Sequence, residues 1–342
     1  MTEKVLFIND EENKEIFLDI KPIHEDLYDC LQNTVLTIAK YWDIDPTMMF
    51  ANIWGIGINT KYGNSNLSDK IQIGYHKDVW NALEKYNGIK ITSIKPTSNK
   101  LEFKQVKKFI HEQNKKKKIV AICIDISTCP WMPDYSGIRY PHYIIVRGFK
   151  NNNIIGVDPS GSKNEIELYP MNGLKNGYSY LIFEKVHSES MELLEILSPL
   201  YERNNNKRWI KSIIELSQEI QKIDYDKEVG NAILTNNIPI LFKLSNISNN
   251  RINIAKFFMY LNSIFKYEEL AELANMFNKI RNKWNIVKTL MIKYFTDKDT
   301  SSIVRTSKVL ENIAQLENDT FDLLVKFLLK INGNISSELQ KN

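Results

Sequence analysis

Short apolar segments with strand-like patterns occur along the chain up to residue 186. Segments 119–127, 142–149 and 154–158 are rich in β-branched residues, which is typical of buried strands. An Asn-rich turn at 151–153 separates the last two segments, so we expect them to pair antiparallel. Further strands are predicted at 5–8, 15–20, 89–94, 165–168 and 178–186, a buried strand or hairpin arm at 48–58, and helices at 76–86 and 101–113.

After residue 188 the strand pattern stops and apolar residues recur at the spacing of a helix. Glycine and proline, which interrupt helices, are scarce in this part of the chain. No self-similarity with a period of 34 or 40 residues is visible, so the pattern does not favour a repeat solenoid. Helices are predicted at 191–201, 208–223, 232–244, 252–265, 267–294, 303–316 and 321–331.

The change of pattern near residue 188 predicts an α+β chain of two domains. Residues 1–188 are expected to form a domain with a cysteine at a helix N-terminus and a mostly antiparallel sheet. Residues 189–342 are expected to form an all-helical C-terminal domain. The chain has 342 residues, a length that suits two domains with sizeable cores.

A cysteine stands where an amphipathic helix is predicted to begin. Apolar residues recur at three- and four-residue steps from Leu31 to Trp42. Asp29 has the chemistry of an N-cap, which places Cys30 in the first helical turn. Unpaired N–H groups and the helix dipole there would stabilise a thiolate nucleophile, or an oxyanion on an attacked carbonyl. A small buried hydrophobic side chain is the alternative interpretation of Cys30.

A histidine and an aspartate occupy strand ends that the predicted hairpin brings together. His142 opens an apolar strand, and Asp158 follows the next strand sixteen residues later. Pro159 restricts Asp158 to an extended conformation, which helps to aim its carboxylate. A base oriented by a carboxylate and facing a cysteine is the arrangement of nucleophilic catalysis. Each residue alone also fits a structural role, at a strand edge or at the start of a turn.

Composition and charge exclude several functional classes. The formal net charge of +4 is too small to indicate nucleic-acid binding. No stretch approaches the about 20 apolar residues of a membrane span, and no apolar segment typical of a secretory signal follows the first residues. With three cysteines, a disulfide framework is not expected. We therefore expect a cytoplasmic protein with no membrane partner.

Other motifs are too weak to assign a second site. Gly55-Ile-Gly57 lacks the context of a dinucleotide-binding loop. Cys123 and Cys129 have no partners at zinc-binding spacing, so no metal is expected, and they are predicted to be a core residue and a loop thiol. The four lysines at 115–118 are interpreted as a solvated helix end.

The cysteine, the histidine and the Asp-Pro pair together resemble the papain-like cysteine protease superfamily, over residues 20–186. One similar branch is the leader peptidases of bacteriocin exporters, in which a Gln precedes an Asp-Cys pair by four intervening residues. Here His24 takes the place of that Gln, before Asp29-Cys30. The other similar branch comprises the butirosin-pathway H-type acyltransferases and the cysteine protease-like amide synthases of closthioamide-type thiotemplated pathways.

The resemblance implies a catalytic triad of Cys30, His142 and Asp158. It also implies an oxyanion hole, which His24 would complete through an imidazole N–H, with help from Gln32 or Tyr28. The loop at 128–141 precedes the base and contains aromatic residues, an arginine and prolines, as a substrate-lining loop would. The candidate lining residues are Trp131, Tyr135 and Arg139.

The second branch leads us to expect a cysteine-dependent acyltransferase that forms amide bonds in natural-product (antibiotic) biosynthesis. An acyl or peptidyl carrier protein would supply the acyl group on its phosphopantetheine thioester, and a small amine would accept it. No bound cofactor is expected. Two alternatives stay open: a cysteine peptidase of the leader-peptidase type, and a non-catalytic binding protein on a protease-like fold.

Overall fold

The computed structural model describes most of the chain, and it separates into two compact units. The described residues are 5–8, 15–59, 66–73, 80–95, 103–129, 131, 141–150, 153–161, 163–168, 179–230 and 238–339. Unit 1 comprises Met1–Pro46 and Leu83–Glu189, and unit 2 comprises Thr47–Ala82 and Ser190–Asn342.

An antiparallel sheet of six strands forms the centre of unit 1. Its strands are β5 (Ile89–Ile94), β6 (Ile119–Asp125), β7 (Pro141–Lys150), β8 (Asn153–Asp158), β9 (Lys163–Leu168) and β10 (Tyr180–Lys185). They lie in the order β5-β10-β6-β7-β8-β9. Strands β1 (Val5–Ile8) and β2 (Glu15–Leu18) form a separate antiparallel pair. The chain is therefore α+β, with the sheet in its first half.

The hairpin of β7 and β8 has the antiparallel pairing that the Asn-rich turn predicts. Gly156 permits the close approach of the two strands. A Cβ atom at Gly156 would lie 2.8 Å from both the Cγ2 atom of Ile144 and the carbonyl oxygen of Ile145. Any larger residue would push β8 away from β7. This close approach holds the two strands together at Val146 and Gly156, a few residues from His142 and Asp158.

Helix α4 (Phe103–Lys115) covers one face of this sheet. Its Val106 and Ile110 are buried in a cluster with apolar side chains of β6 and β7. Helix α1 (Cys30–Tyr41) also contacts β7. The apolar side chains of Val35 and Ile38 in α1 are fully buried. The cysteine helix is thus held against the strand that carries His142.

Unit 2 is mainly helical. Its helices include α2 (Leu67–Lys70), α5 (Leu193–Asn204), α6 (Arg208–Glu219), α7 (Tyr225–Val229), α8 (Pro239–Phe265), α9 (Glu268–Asp297) and α10 (Thr300–Leu339). Helix α3 (Asn81–Asn87) spans the boundary between the units. Lys266 and Lys298 end α8 and α9 in the left-handed conformation, and α9 packs against both α8 and α10.

Two predicted helix breaks are absent from the structure. Helix α8 runs through the gap predicted between 244 and 252, and α10 runs through the gap predicted between 316 and 321. The polar residues in these gaps find partners without leaving the helix. Ser248 Oγ lies 2.7 Å from Asn285 Oδ1, and the Thr320 hydroxyl donates to the carbonyl of Leu316. Ser248 and Thr320 are therefore buried positions of continuous helices.

Residues 47–82 differ most from the sequence prediction. The strand predicted at 48–58 is instead a 3₁₀ helix, Thr47–Phe50, followed by the short strand β3 (Ile56–Ile58), which pairs with β4 (Ile71–Ile73). This segment belongs to unit 2, whereas the predicted division assigned it to the first domain. The physical reason is the apolar content of the segment, since Trp54 is buried and donates to Glu317 of α10.

Within the described part of the chain, no helix is both long and apolar enough to cross a membrane.

Candidate active site

Cys30 is the first residue of helix α1, and a capping box fixes this start. The Asp29 carboxylate accepts from the backbone N–H of Gln32 at 2.8 Å, and the Gln32 side-chain carbonyl accepts from the backbone N–H of Asp29 at 3.1 Å. Two of the backbone donors at the helix start are thereby satisfied. The predicted position of Cys30 in the first turn is confirmed.

The sulfur of Cys30 lies against the main chain of β7. Its Sγ atom is 3.6 Å from the carbonyl oxygen of Pro141, and the backbone N–H of Tyr143 donates to it. In a strand, the carbonyl of one residue and the N–H two residues later point to the same edge. The sulfur therefore sits beside the main chain on either side of His142. Strand β8 pairs with β7 from Ile145 onward, which leaves this edge to the cysteine.

His142 and Asp158 form a buried pair at the adjoining ends of β7 and β8. The distance from His142 Nε2 to Asp158 Oδ2 is 2.8 Å, and the two residues are 1% and 0% exposed. Asp158 also accepts from Trp131 Nε1 at 2.7 Å and from the backbone N–H of Gly161 at 3.0 Å. Burial opposes the charge on Asp158, but the hydrogen bonds from His142, Gly161 and Trp131 outweigh it and hold the pKa of this carboxyl below its usual value.

The ionised state of Asp158 determines which nitrogen of His142 carries a proton. A carboxylate accepts hydrogen bonds only, so Nε2 of His142 is a donor. In the neutral imidazole, Nδ1 is then the nitrogen with the free lone pair. His142 thus presents Nδ1 as its basic atom, which is the arrangement that a base oriented by a carboxylate requires.

The thiol of Cys30 is less acidic than a cysteine at a helix start is expected to be. Burial raises the pKa of the Cys30 thiol, and the negative charges of Asp29 and Asp158 raise it further. The N–H of Tyr143 lowers this pKa but does not offset the loss of water. Cys30 is accordingly a neutral thiol near pH 7. Any nucleophilic reaction at this sulfur needs a base to take its proton.

The segment that carries His24 is held along α1 by two buried polar side chains. The Asn33 side chain accepts from the N–H of Glu25 at 2.8 Å and donates to the carbonyl oxygens of Glu25 and Tyr28. Thr37 pairs in the same way with both main-chain groups of Ile23. His24 lies between these anchored residues. The course of the chain before Cys30 is therefore fixed through its main-chain groups.

The auxiliary residues predicted for the oxyanion hole have other contacts in the structure. His24 Nε2 lies 3.0 Å from an oxygen of Asp26, whose carboxylate is exposed to solvent. Gln32 is buried and uses its side-chain carbonyl in the capping box. Burial raises the pKa of Tyr28 to about 12, so its hydroxyl stays protonated near pH 7.

Of the three candidate lining residues, the structure describes Trp131. Trp131 donates to Asp158, a role that the sequence did not indicate, because nothing in the local pattern shows where an indole N–H points. Tyr143 was also missed, although its position next to His142 was a usable signal, since alternate strand residues share one edge. Tyr135 and Arg139 lie outside the described residues.

No protein-family model matches this chain, and comparison with curated proteins gives no significant match. Among the described residues, no group of three or more His, Cys, Asp or Glu side chains is arranged to hold a metal ion.

Proposed function

We propose that this protein is a papain-like cysteine acyltransferase that forms amide bonds. An acyl or peptidyl carrier protein would present the acyl group as a phosphopantetheine thioester, and a small amine would receive it, as a step of natural-product (antibiotic) biosynthesis. The observation that carries the proposal is the buried His142–Asp158 pair. His142 directly follows Pro141, whose carbonyl oxygen lies against the sulfur of Cys30.

The first half of the proposed reaction acylates Cys30. Nδ1 of His142 takes the thiol proton as the sulfur attacks the thioester carbonyl, and Asp158 stabilises the imidazolium that results. The backbone N–H of Cys30, at the start of α1, is available to stabilise the oxyanion. When the carbon–sulfur bond of the donor breaks, the phosphopantetheine thiolate leaves and takes the proton back from His142. The acyl group remains on Cys30.

The second half transfers the acyl group to the amine. Now His142 accepts a proton from the attacking amine, and the Cys30 thiolate leaves and regains that proton from the imidazolium. A neutral thiol in the resting enzyme favours a thioester over an amide as donor, because the thioester carbonyl is the more activated one. The absence of a Gln before the cysteine also supports a thioester donor, since His24 is paired with Asp26.

Intact-protein mass spectrometry after mixing with a panel of acyl-pantetheine thioesters tests this proposal. We expect one acyl adduct on the wild type and none on Cys30→Ala. The Cys123→Ser variant should still form the adduct, because Cys123 has no part in the proposed reaction. If the wild type forms no adduct with any of the thioesters, the acyltransferase proposal is contradicted.

A cysteine peptidase of the leader-peptidase type is the second candidate, because Asp29-Cys30, His142 and Asp158-Pro159 follow that pattern, although His24 replaces its Gln. Both enzymes would form a thioester on Cys30, but the fate of the acyl group differs. A transferase should retain the acyl group until an amine is added, whereas a peptidase should release free acid promptly and also accept amide donors. The ratio of amide product to free acid, measured as the amine concentration is raised, separates the two.

A further inference from the structure

Trp131 and His142 donate to the same oxygen of Asp158. The distances from Oδ2 are 2.7 Å to Trp131 Nε1 and 2.8 Å to His142 Nε2, while the other oxygen, Oδ1, accepts from the N–H of Gly161. Asp158 is fully buried, so water does not compete for Oδ2. The carboxylate is thus held by three donors, two of which share the oxygen that faces the histidine.

The two donors on this oxygen differ in one respect that matters for proton transfer. The imidazole changes charge when it takes a proton, whereas an indole N–H stays a neutral donor at every accessible pH. A fixed donor on Oδ2 reduces the negative charge with which Asp158 attracts an imidazolium. Trp131 therefore limits how strongly the pair stabilises protonated His142. A base that must take a proton from a neutral thiol has to be unprotonated at the working pH.

The indole ring is placed to hold this geometry. Trp131 packs against the apolar cluster that α4 forms with β6 and β7. Cys129, two residues earlier, is fully buried in that cluster and follows the short 3₁₀ helix Ile126–Thr128. Packing on one side and the short bond to Asp158 on the other restrict the ring, so the N–H direction is set by the fold.

We propose that Trp131 is a positioning residue, whose indole N–H orients Asp158 and sets the pH at which His142 becomes an active base. The catalytic use of this effect rests on the proposed function. The effect itself, of the Trp131 N–H on the Asp158 carboxylate and through it on His142, does not.

Other titratable and charged groups surround the pair and contribute to the same field. Those near the pair in the described residues are Asp29 and Cys30 of the cysteine helix, Cys123 and Asp125 of β6, Tyr143 of β7 and Lys163 of β9. A substitution at position 131 leaves all of them in place. The comparison between wild type and variant therefore reports on the contact of Trp131 with Asp158.

The test is an NMR titration of the His142 imidazole in wild type and in Trp131→Phe, with the resonance assigned by its loss in His142→Gln. Phenylalanine keeps an aromatic ring but has no N–H. We expect the midpoint of His142 to rise by about half a pH unit, which is about a threefold gain in proton affinity. In the pH profile of the Cys30 acylation rate, the acidic limb should also move to higher pH.

Asp158→Asn supplies the control, because without the carboxylate charge the added Trp131→Phe change should leave the His142 midpoint unchanged. If Trp131→Phe does not fold, benzothienylalanine at position 131 removes the N–H and keeps the ring shape. An unchanged midpoint in a folded 131 variant would overturn the inference, as would a shift that persists with Asn at 158. The titration needs no substrate, so failure of the acyltransferase proposal would be seen separately, as the lack of any Cys30 adduct.

Discussion

The Sγ atom of Cys30 lies 3.6 Å from the carbonyl oxygen of Pro141, a residue 111 positions further along the chain. This contact joins the start of α1 to the start of β7. The N–H of Tyr143 donates to the same sulfur, so the thiol has a main-chain acceptor and a main-chain donor on either side of His142. The sulfur is thus placed by backbone groups, which side-chain substitutions nearby do not remove.

The reactivity of Cys30 should therefore depend on its base and on pH. We expect iodoacetamide to label Cys30 before Cys123, because Cys30 is partly accessible whereas Cys123 is buried. Because burial raises the pKa of Cys30, labelling should be slow near pH 7 and should accelerate as the solution becomes alkaline. Peptide mapping after timed alkylation measures both rates. Equal labelling of the two cysteines would remove the basis for a nucleophilic role.

The buried Asp158 carboxylate should make unit 1 less stable at acidic pH. Its pKa in the folded protein is lowered, so its contribution to the free energy of unfolding is complete above the pKa of an unfolded aspartate, about 3.9. That contribution is lost as the pH falls through the lower folded value. Urea unfolding at a series of pH values should show a loss below about pH 4 that is smaller in Asp158→Asn. Identical pH dependence in both proteins would contradict the prediction.

The His142–Asp158 relationship follows from the sequence because two strands joined by a short turn must pair. Strands β7 and β8 pair from Lys150 and Asn153 onward, and His142 and Asp158 stand at the strand ends that this register brings together. The contact of Cys30 with Pro141 depends instead on how a distant helix packs, and no local pattern encodes it. The structure places Cys30 against Pro141, the residue that precedes His142.

The features that the sequence did not reveal depend on burial. A helix start predicted an acidic thiol at Cys30, but desolvation and Asp29 reverse the effect, and both depend on the tertiary structure. Polar residues in α8 and α10 were interpreted as breaks, because a sequence does not show that Ser248 faces Asn285 or that Glu317 is buried with a cation. The donor role of Trp131 is of the same kind.

A buried ion pair should be central to the stability of unit 2. Glu317 of α10 accepts from Arg251 Nε at 2.6 Å and from the indole N–H groups of Trp54 and Trp209. Both charged side chains are fully buried. Removing the carboxylate leaves the guanidinium uncompensated and two indole donors unpaired. We expect Glu317→Ala to lower the free energy of unfolding of unit 2 by about 3 to 5 kcal/mol.

Asp322 on the same helix supplies the matched control for this prediction. It pairs with Lys207 at 2.9 Å, but both side chains are substantially exposed, so Asp322→Asn should leave the urea midpoint close to that of the wild type. Urea unfolding followed by circular dichroism compares the two variants, since most of the helix signal comes from unit 2. Similar midpoints for Glu317→Ala and Asp322→Asn would show that the buried network contributes little.

The different roles of His142 and Asp158 give the sharpest test of the site. His142→Ala removes the only group assigned to take the proton of a neutral thiol, so acylation of Cys30 should fall below detection. Asp158→Asn keeps the base but loses the charge that holds Nε2–H, so acylation should continue at a rate lower by about 10- to 10⁴-fold. His187→Ala, at an exposed position beyond β10, should acylate like the wild type. Single-turnover mass spectrometry with one acyl-pantetheine thioester measures all three. Equal and complete loss in folded His142→Ala and Asp158→Asn proteins would assign Asp158 a structural role in place of an orienting one.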